Sequence, residues 1–321
     1  MKIGNVTVNG FAALAPMAGV ADRAMREICT KMGAAYTVGE LASARGITLG
    51  DTKSAELLFC DKNGVPSGSQ LFGCEPQIMA EAAKRALEFS PDFIDINMGC
   101  PAPKVAGNGG GSALMKSPQL AGEIVSAVAS AVSVPITVKM RAGWDNESLN
   151  AVELARICEA AGAKAITVHG RTRVQMYAPP VNYDIIKEVK RSVAVPVIAN
   201  GDIRDGKSAK FVYDYTGCDF VMVGRGAMGQ PWIFQQINAY LSDGIILPDP
   251  PLEKKMLTLI NQVERMREYK GEKISMLEAR KHTAWYMKGL KGAADLRRMA
   301  GNITKLDDVI EIVKRAMELN K

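Results

Sequence analysis

The chain has 321 residues, 47% hydrophobic and 23% charged, with a formal net charge of +6. That is an ordinary soluble composition, with enough chain for one large domain and a small one. It holds no run of about 18 uncharged apolar residues, which excludes a membrane-spanning helix, and MKIGNVTVNG lacks the apolar region of a secretory signal.

The six cysteines, Cys29, Cys60, Cys74, Cys100, Cys158 and Cys218, form no C-x-x-C pair. Zinc ribbons and redox dithiols are not expected, and free thiols suit a cytoplasmic protein. His169 and His282 are the only histidines, so no metal centre is expected. The charge is unevenly placed. Residues 252–321 hold 16 Lys and Arg against 10 Asp and Glu, whereas residues 1–251 hold 24 of each. A solvated helical face would account for the excess, and so would a polyanion-binding module beside a neutral body.

In chain order, eight apolar runs end in polar or Gly-rich residues: FAALAPMAG, YTVGELAS, SQLFG, FIDINMGCP, ITVKMRAG, AITVHGRT, VIANGDI and FVMVGRGA. Helical patterns such as PQIMAEAAKRALEF, SLNAVELARICEAAG and YDIIKEVKRSV lie between most of them. Gly33 and Gly162 follow such helices, where a C-terminal stop belongs. Eight strand–helix units with continuously apolar strands predict a parallel (β/α)8 TIM barrel. An open doubly wound sheet shares the pattern and stays as the alternative. The barrel is expected over residues 1–240 and a Pro-broken linker over 241–251. A small all-α domain follows over 252–321, with three amphipathic helices.

The strand-end residues are Pro16, Glu40, Gln70, Asn97, Lys139, His169, Asn200 and Gly224. In such a barrel this face carries function. The loops after strands seven and eight suit a phosphate, through the backbone of Gly201, Gly224 and Gly226 and the charge of Arg225. The G-x-G-x-x-G starting at Gly224 follows the last strand rather than the first, which excludes a Rossmann reading. Pro16, Met17 and Ala18 offer backbone and a flat apolar surface. Gln70, Lys139, His169 and Asn200 add polar groups. Together they suit flavin mononucleotide, with Lys139 near the ring edge that becomes anionic on reduction. A satisfied buried histidine and ligand-free turn glycines are the plainer readings. A long Gly-rich loop after strand four, GCPAPKVAGNGGGSALMKSP, places one thiol, Cys100, on a Gly-Cys-Pro turn.

APMAGVADRAMR, INMGCPAPKV, GSALM, VKMRAGW, TVHGRTR, IANGD and VGRGAMGQPWIF resemble the tRNA-dihydrouridine synthases, the bacterial B branch most of all. ARKHTAWYMKGL is similar to that family's helical domain. The resemblance implies that NADPH reduces bound FMN and that a tRNA uridine is then reduced at C5–C6. It implies that Pro16, Met17, Ala18, Gln70, Lys139, His169, Asn200, Gly201, Asp202, Gly224 and Arg225 hold FMN. Cys100 would be the proton donor, since an ordinary thiol is protonated at neutral pH. Asn97 would hold the uracil edge, Arg171 and Arg173 would guide the RNA backbone, and Arg280, Lys281 and Arg298 would bind tRNA from the tail. After HGRTRVQMY the chain departs from the family, with Ala178, Pro179 and Pro180 where a Gly-containing turn is usual. Two other readings remain: a flavin reductase of a free pyrimidine, resembling dihydroorotate dehydrogenase, and a non-catalytic RNA-binding barrel.

Overall fold

The computed structural model describes residues 1–60 and 64–321. A short antiparallel hairpin opens the chain, β1 (Lys2–Ile3) with β2 (Val6–Thr7). The eight apolar runs then form β3 (Ala12–Leu14), β4 (Thr37–Ser43), β5 (Ser67–Phe72), β6 (Phe93–Met98), β7 (Ile136–Arg141), β8 (Ala165–His169), β9 (Val197–Asn200) and β10 (Phe220–Val223). They are parallel neighbours in sequence order, and β10 returns to β3 through Val221 and Ala12. Closure leaves none of these eight strands with an open edge. The open-sheet alternative is therefore overturned.

The helices outside the barrel bury small or aliphatic faces. Pro76–Ala86, for example, buries Met79, Ala80, Ala82, Ala83 and Ala86. Their starts are locally encoded: Asp22, Asn182 and Asp205 each cap a helix with a side-chain oxygen. The hairpin was not expected. Its Ile3, with Val8 just after it, joins Tyr36, Phe93 and Phe220 in one buried cluster at the N-terminal ends of the strands. That end of the barrel is plugged, so chemistry is left to the other.

One irregularity matters for the site. In β4, Val38 pairs with Gly68 but Leu41 pairs with Gln70. Two residues, Gly39 and Glu40, therefore stand opposite one. Such a bulge re-aims a side chain, and the Glu40 carboxylate accepts the Gly19 N–H.

The last barrel helix, Ile233–Asp243, runs past the expected boundary at 240 and stops at Gly244, which adopts the left-handed conformation (φ 70°). Coil leads to the helix Leu252–Tyr286, broken at Gly271 (φ 72°, ψ 165°) into two antiparallel arms. Polar side chains far apart in sequence tie the arms together. Gln262 Nε2 lies 2.9 Å from His282 Nδ1, and Tyr286 donates to Gln262 Oε1 at 3.1 Å. The helices Ala293–Ala300 and Leu306–Leu319 complete the segment. The first of these two was not expected, and Trp232, counted with the barrel, packs in this helical core with Met256, Val263 and Tyr286.

The helical segment docks on the barrel helix Arg23–Lys31. Lys270 donates to Asp22 Oδ2 at 2.7 Å, and Arg265 and Tyr269 both donate to Glu27 at 2.7 Å. Asp22 is 2% exposed and Glu27 4%. Lys270→Met should therefore cost about 2–4 kcal/mol of stability, because it strands a buried carboxylate. The lower end is expected where Asp22 Oδ1 keeps its cap on Met25 N. Urea unfolding of the variant checks this.

Candidate active site

The Cys100 turn is built from three sides. Asn97 Oδ1 accepts from Gly99 N at 3.1 Å and Cys100 N at 2.9 Å, the side-chain mimic of a turn. Arg141 Nε donates to Gly99 O at 2.7 Å, and Ser112 N to Cys100 O at 3.1 Å. Gly111 (φ 57°) must be Gly: a Cβ there would lie 2.9 Å from Cys100 O. The result is a free, half-buried thiol at the mouth of the barrel.

Beside it, polar side chains from adjacent strands interlock. Asn97 Nδ2 donates to Gln70 Oε1 at 2.8 Å, and Gln70 Nε2 to Asp95 Oδ2 at 2.7 Å. Thr137 Oγ1 donates to Asp95 Oδ1 at 2.5 Å. Burial pushes the Asp95 carboxyl up, against these hydrogen bonds and the nearby Lys139. Lys139 Nζ donates to Asn200 Oδ1 at 3.1 Å, and Asn200 Nδ2 to Met222 O at 2.8 Å. Burial, then repulsion from Arg141, brings Lys139 down to about 8. Burial and four cations, Lys139, Arg141, Arg171 and Arg225, take His169 down to about 2. His169 is thus a neutral imidazole at any physiological pH.

The loops after β9 and β10 pack backbone to backbone. A Cβ on Gly226 would lie 2.2 Å from Ile203 O, and one on Gly201 (φ 139°) 3.0 Å from both Val181 methyls. Asp202 (φ 47°) accepts both Arg171 nitrogens, at 3.1 and 2.7 Å, and Arg225 Nη2 at 3.2 Å. The Arg171 hydrogen bonds hold its carboxyl below the usual range. Arg225 also stands over the Tyr177 ring, 4.7 Å from its centre. Met17 Sδ approaches Gly224, 3.7 Å from where a Cβ would stand.

The barrel mouth thus gathers Pro16, Met17, Ala18, Gln70, Asn97, Cys100, Lys139, His169, Asn200, Gly201, Asp202, Gly224 and Arg225 on successive strand ends and their loops. Three residues expected to contact substrate or RNA are already engaged within the protein. Asn97 spends its carbonyl on the Cys100 turn and one amide hydrogen on Gln70, leaving a single N–H for any uracil edge. Arg171 is 1% exposed and held by Asp202 and Ala178 O, so it braces loops and does not reach an RNA backbone. Arg280 donates to Ile303 O at 3.0 Å, inside its own segment. Arg298 is exposed and paired with Asp295, while Lys281 Nζ reaches Gly19, beside Pro16, Met17 and Ala18. The departing segment is held rather than loose: Ala178 O accepts from Arg171 Nε at 2.8 Å, and Gln175 Nε2 donates to Pro180 O at 2.6 Å.

Glu40 was named only as a strand-end residue, with no role, and three contributors were missed: Asp95, Arg141 and Tyr177. Two of them left a signal. Strand side chains alternate, so Asp95 lies on the face of Asn97, and Arg141 on the face of Lys139.

Against known families, residues 13–320 match the family model described as Dihydrouridine synthase (Dus). The tRNA-dihydrouridine synthase B of Vibrio vulnificus is 43% identical over 298 residues, covering 93% of this chain and 92% of that protein. The synthase B of Pseudomonas aeruginosa is 40% identical over 96% of this chain and 92% of that one. A probable tRNA-dihydrouridine synthase of Rickettsia conorii is 40% identical over 99% and 96%. The solved structure of an amine oxidase acting on 6-hydroxypseudooxynicotine, from Pseudomonas geniculata N1, superposes with a TM-score of 0.55 at 15% identity. It covers 77% of this chain and 49% of that one, a likeness of fold alone. With a family match over nearly its whole length and relatives at 40% identity or more, the chain belongs to the dihydrouridine synthase family.

Proposed function

We propose that this protein reduces the C5–C6 bond of uridines in tRNA to dihydrouridine, with bound FMN, NADPH as reductant and Cys100 as proton donor. The observation that carries the reading is the half-buried Cys100 thiol on a braced turn, beside a floor of buried polar groups and cations. The donor set fits FMN. Lys139, Arg141, Arg171 and Arg225 crowd round a neutral His169, more positive charge than Asp202 and the protonation-prone Asp95 balance. Gly201, Gly224 and Arg225 would hold the phosphate; Lys139, His169, Gln70 and the loop of Pro16, Met17 and Ala18 would hold the ring. When bound, the flavin supplies two-electron redox chemistry between nicotinamide and uracil. Cys100 gives its proton to C5. Asn97 and Arg141 keep that thiol in place.

The helical segment from Leu252 supports tRNA binding through its positive excess, and Lys281 brings that charge to the barrel mouth. Barrel, linker and helical tRNA-binding domain are part of this reading, and so is a cytoplasmic location. Among the described residues, no helix is long and apolar enough to cross a membrane. The test is to map dihydrouridine in tRNA from a deletion strain, with and without this gene restored. Unchanged tRNA after restoration would overturn the reading. A second expected result concerns the cofactor: with one phosphate site between the loops after β9 and β10, flavin released from the protein should chromatograph as FMN. FAD, or no flavin after saturating reconstitution, would contradict it.

A further inference from the structure

We infer that Lys116, Trp144 and Arg173 form a clamp for a backbone phosphate of the RNA beside the target uridine. The inference rests on the proposed tRNA activity. Two cations converge on one indole: Lys116 Nζ lies 3.7 Å and Arg173 Cζ 4.7 Å from the Trp144 ring centre. The ring face attracts each of them, and the pair draws an anion. Arg173 is half-buried, and its Nε has no hydrogen-bond partner among the described residues, so nothing inside the protein fixes the guanidinium through that atom. A neighbouring acid, Asp145, is held as a carboxylate by hydrogen bonds and by the charge of Lys116, so it offsets part of that lysine's charge and leaves Arg173 uncompensated by it. Asp145 Oδ1 accepts from Ser148 Oγ at 2.6 Å, Ser148 N at 2.9 Å and Glu147 N at 3.1 Å.

The clamp is joined to the Cys100 turn by two routes. Lys116 ends the 3-10 helix Gly111–Lys116, whose Ser112 N donates to Cys100 O. Arg141 bridges Gly99 O to Thr172 O, next to Arg173. The loops after β7 and β8 are sewn together by Arg173 N on Gly143 O at 3.0 Å and Val174 N on Trp144 O at 2.9 Å. Beside the clamp the rim is apolar and exposed, with Val174 57%, Met176 45% and Tyr177 51% accessible. A rim of that kind suits unstacked bases, so the phosphate belongs to a polynucleotide. A target base must leave its stack to be reached, which requires the flanking backbone to be gripped.

The test measures tRNA affinity across a salt series for the full-length, flavin-loaded protein, its Lys116→Ala variant and its Trp144→Leu variant. Lys116→Ala should weaken binding about tenfold and make the salt slope shallower by roughly one. Trp144→Leu keeps both charges but not their convergence, and should weaken binding with little change in slope. Bound tRNA should also protect Lys116 from acetylation in the unaltered protein, a readout that needs no variant. If the unaltered protein binds no tRNA, the proposed function falls and the clamp with it. If it binds, but both variants match it and Lys116 is acetylated freely, the clamp alone is overturned. Should Trp144→Leu fail to fold, Lys116→Ala and the acetylation pattern decide.

Discussion

Cys100→Ala is expected to slow the reoxidation of the reduced enzyme by tRNA about 10²–10⁴-fold, the usual worth of a positioned general acid. The turn itself should survive. It is held by Asn97 Oδ1 on two backbone N–H groups, by Arg141 on Gly99 O and by Ser112 on Cys100 O, none of which uses the sulfur. Flavin should therefore stay bound, and NADPH should still bleach it. The measurement is a single turnover: pre-reduced protein mixed with tRNA lacking the modification, with dihydrouridine counted by mass spectrometry. A normal rate from the variant would mean that another group supplies the proton.

Lys139→Met should slow bleaching of the flavin by NADPH by about 10²–10³-fold, the usual cost of removing a fixed charge aimed at developing negative charge. It should also weaken FMN binding, which equilibrium dialysis reads independently of turnover. The lysine is held by Asn200 in a buried setting that lowers its pKa to about 8. The sign follows: the ammonium is present below that pH and is lost as pH rises through it. Bleaching by the unaltered protein should therefore decline above about pH 8, and the Met variant should lack that limb. His169, neutral throughout, should add no limb of its own near neutrality. A pH profile identical in both proteins would remove Lys139 from this role.

The fold was legible because its strands are buried on both faces. Eight continuous apolar runs ending in polar residues leave little besides a parallel sheet with helices outside it, and those end residues line the mouth or its floor. The lone thiol on Gly99, Cys100 and Pro101 could also be read, since a turn of that kind at a strand end is local chemistry. Closure of the sheet, the plug of Ile3, Val8 and Phe93, and the bulge at Gly39 and Glu40 were decided by tertiary structure. Two-residue strands carry no period to detect, and a bulge exists only relative to a partner strand.

The same holds for the polar side chains. Arg171 and Arg173 look alike in HGRTR. Only the approach of Asp202, 31 residues on, buries the first, while Trp144 takes the second. Asp22 caps a helix through Met25 N, and Lys270 reaches it from 248 residues away and makes it a dock for the helical segment. Sequence pattern determines which residues face inward, because that depends on local periodicity. Which partner each charged group takes depends on what other strands and helices bring alongside it. In a low-dielectric interior that choice separates a brace such as Arg171, held by a carboxylate, from a cation such as Lys139, held only by the Asn200 amide and proposed to face the flavin.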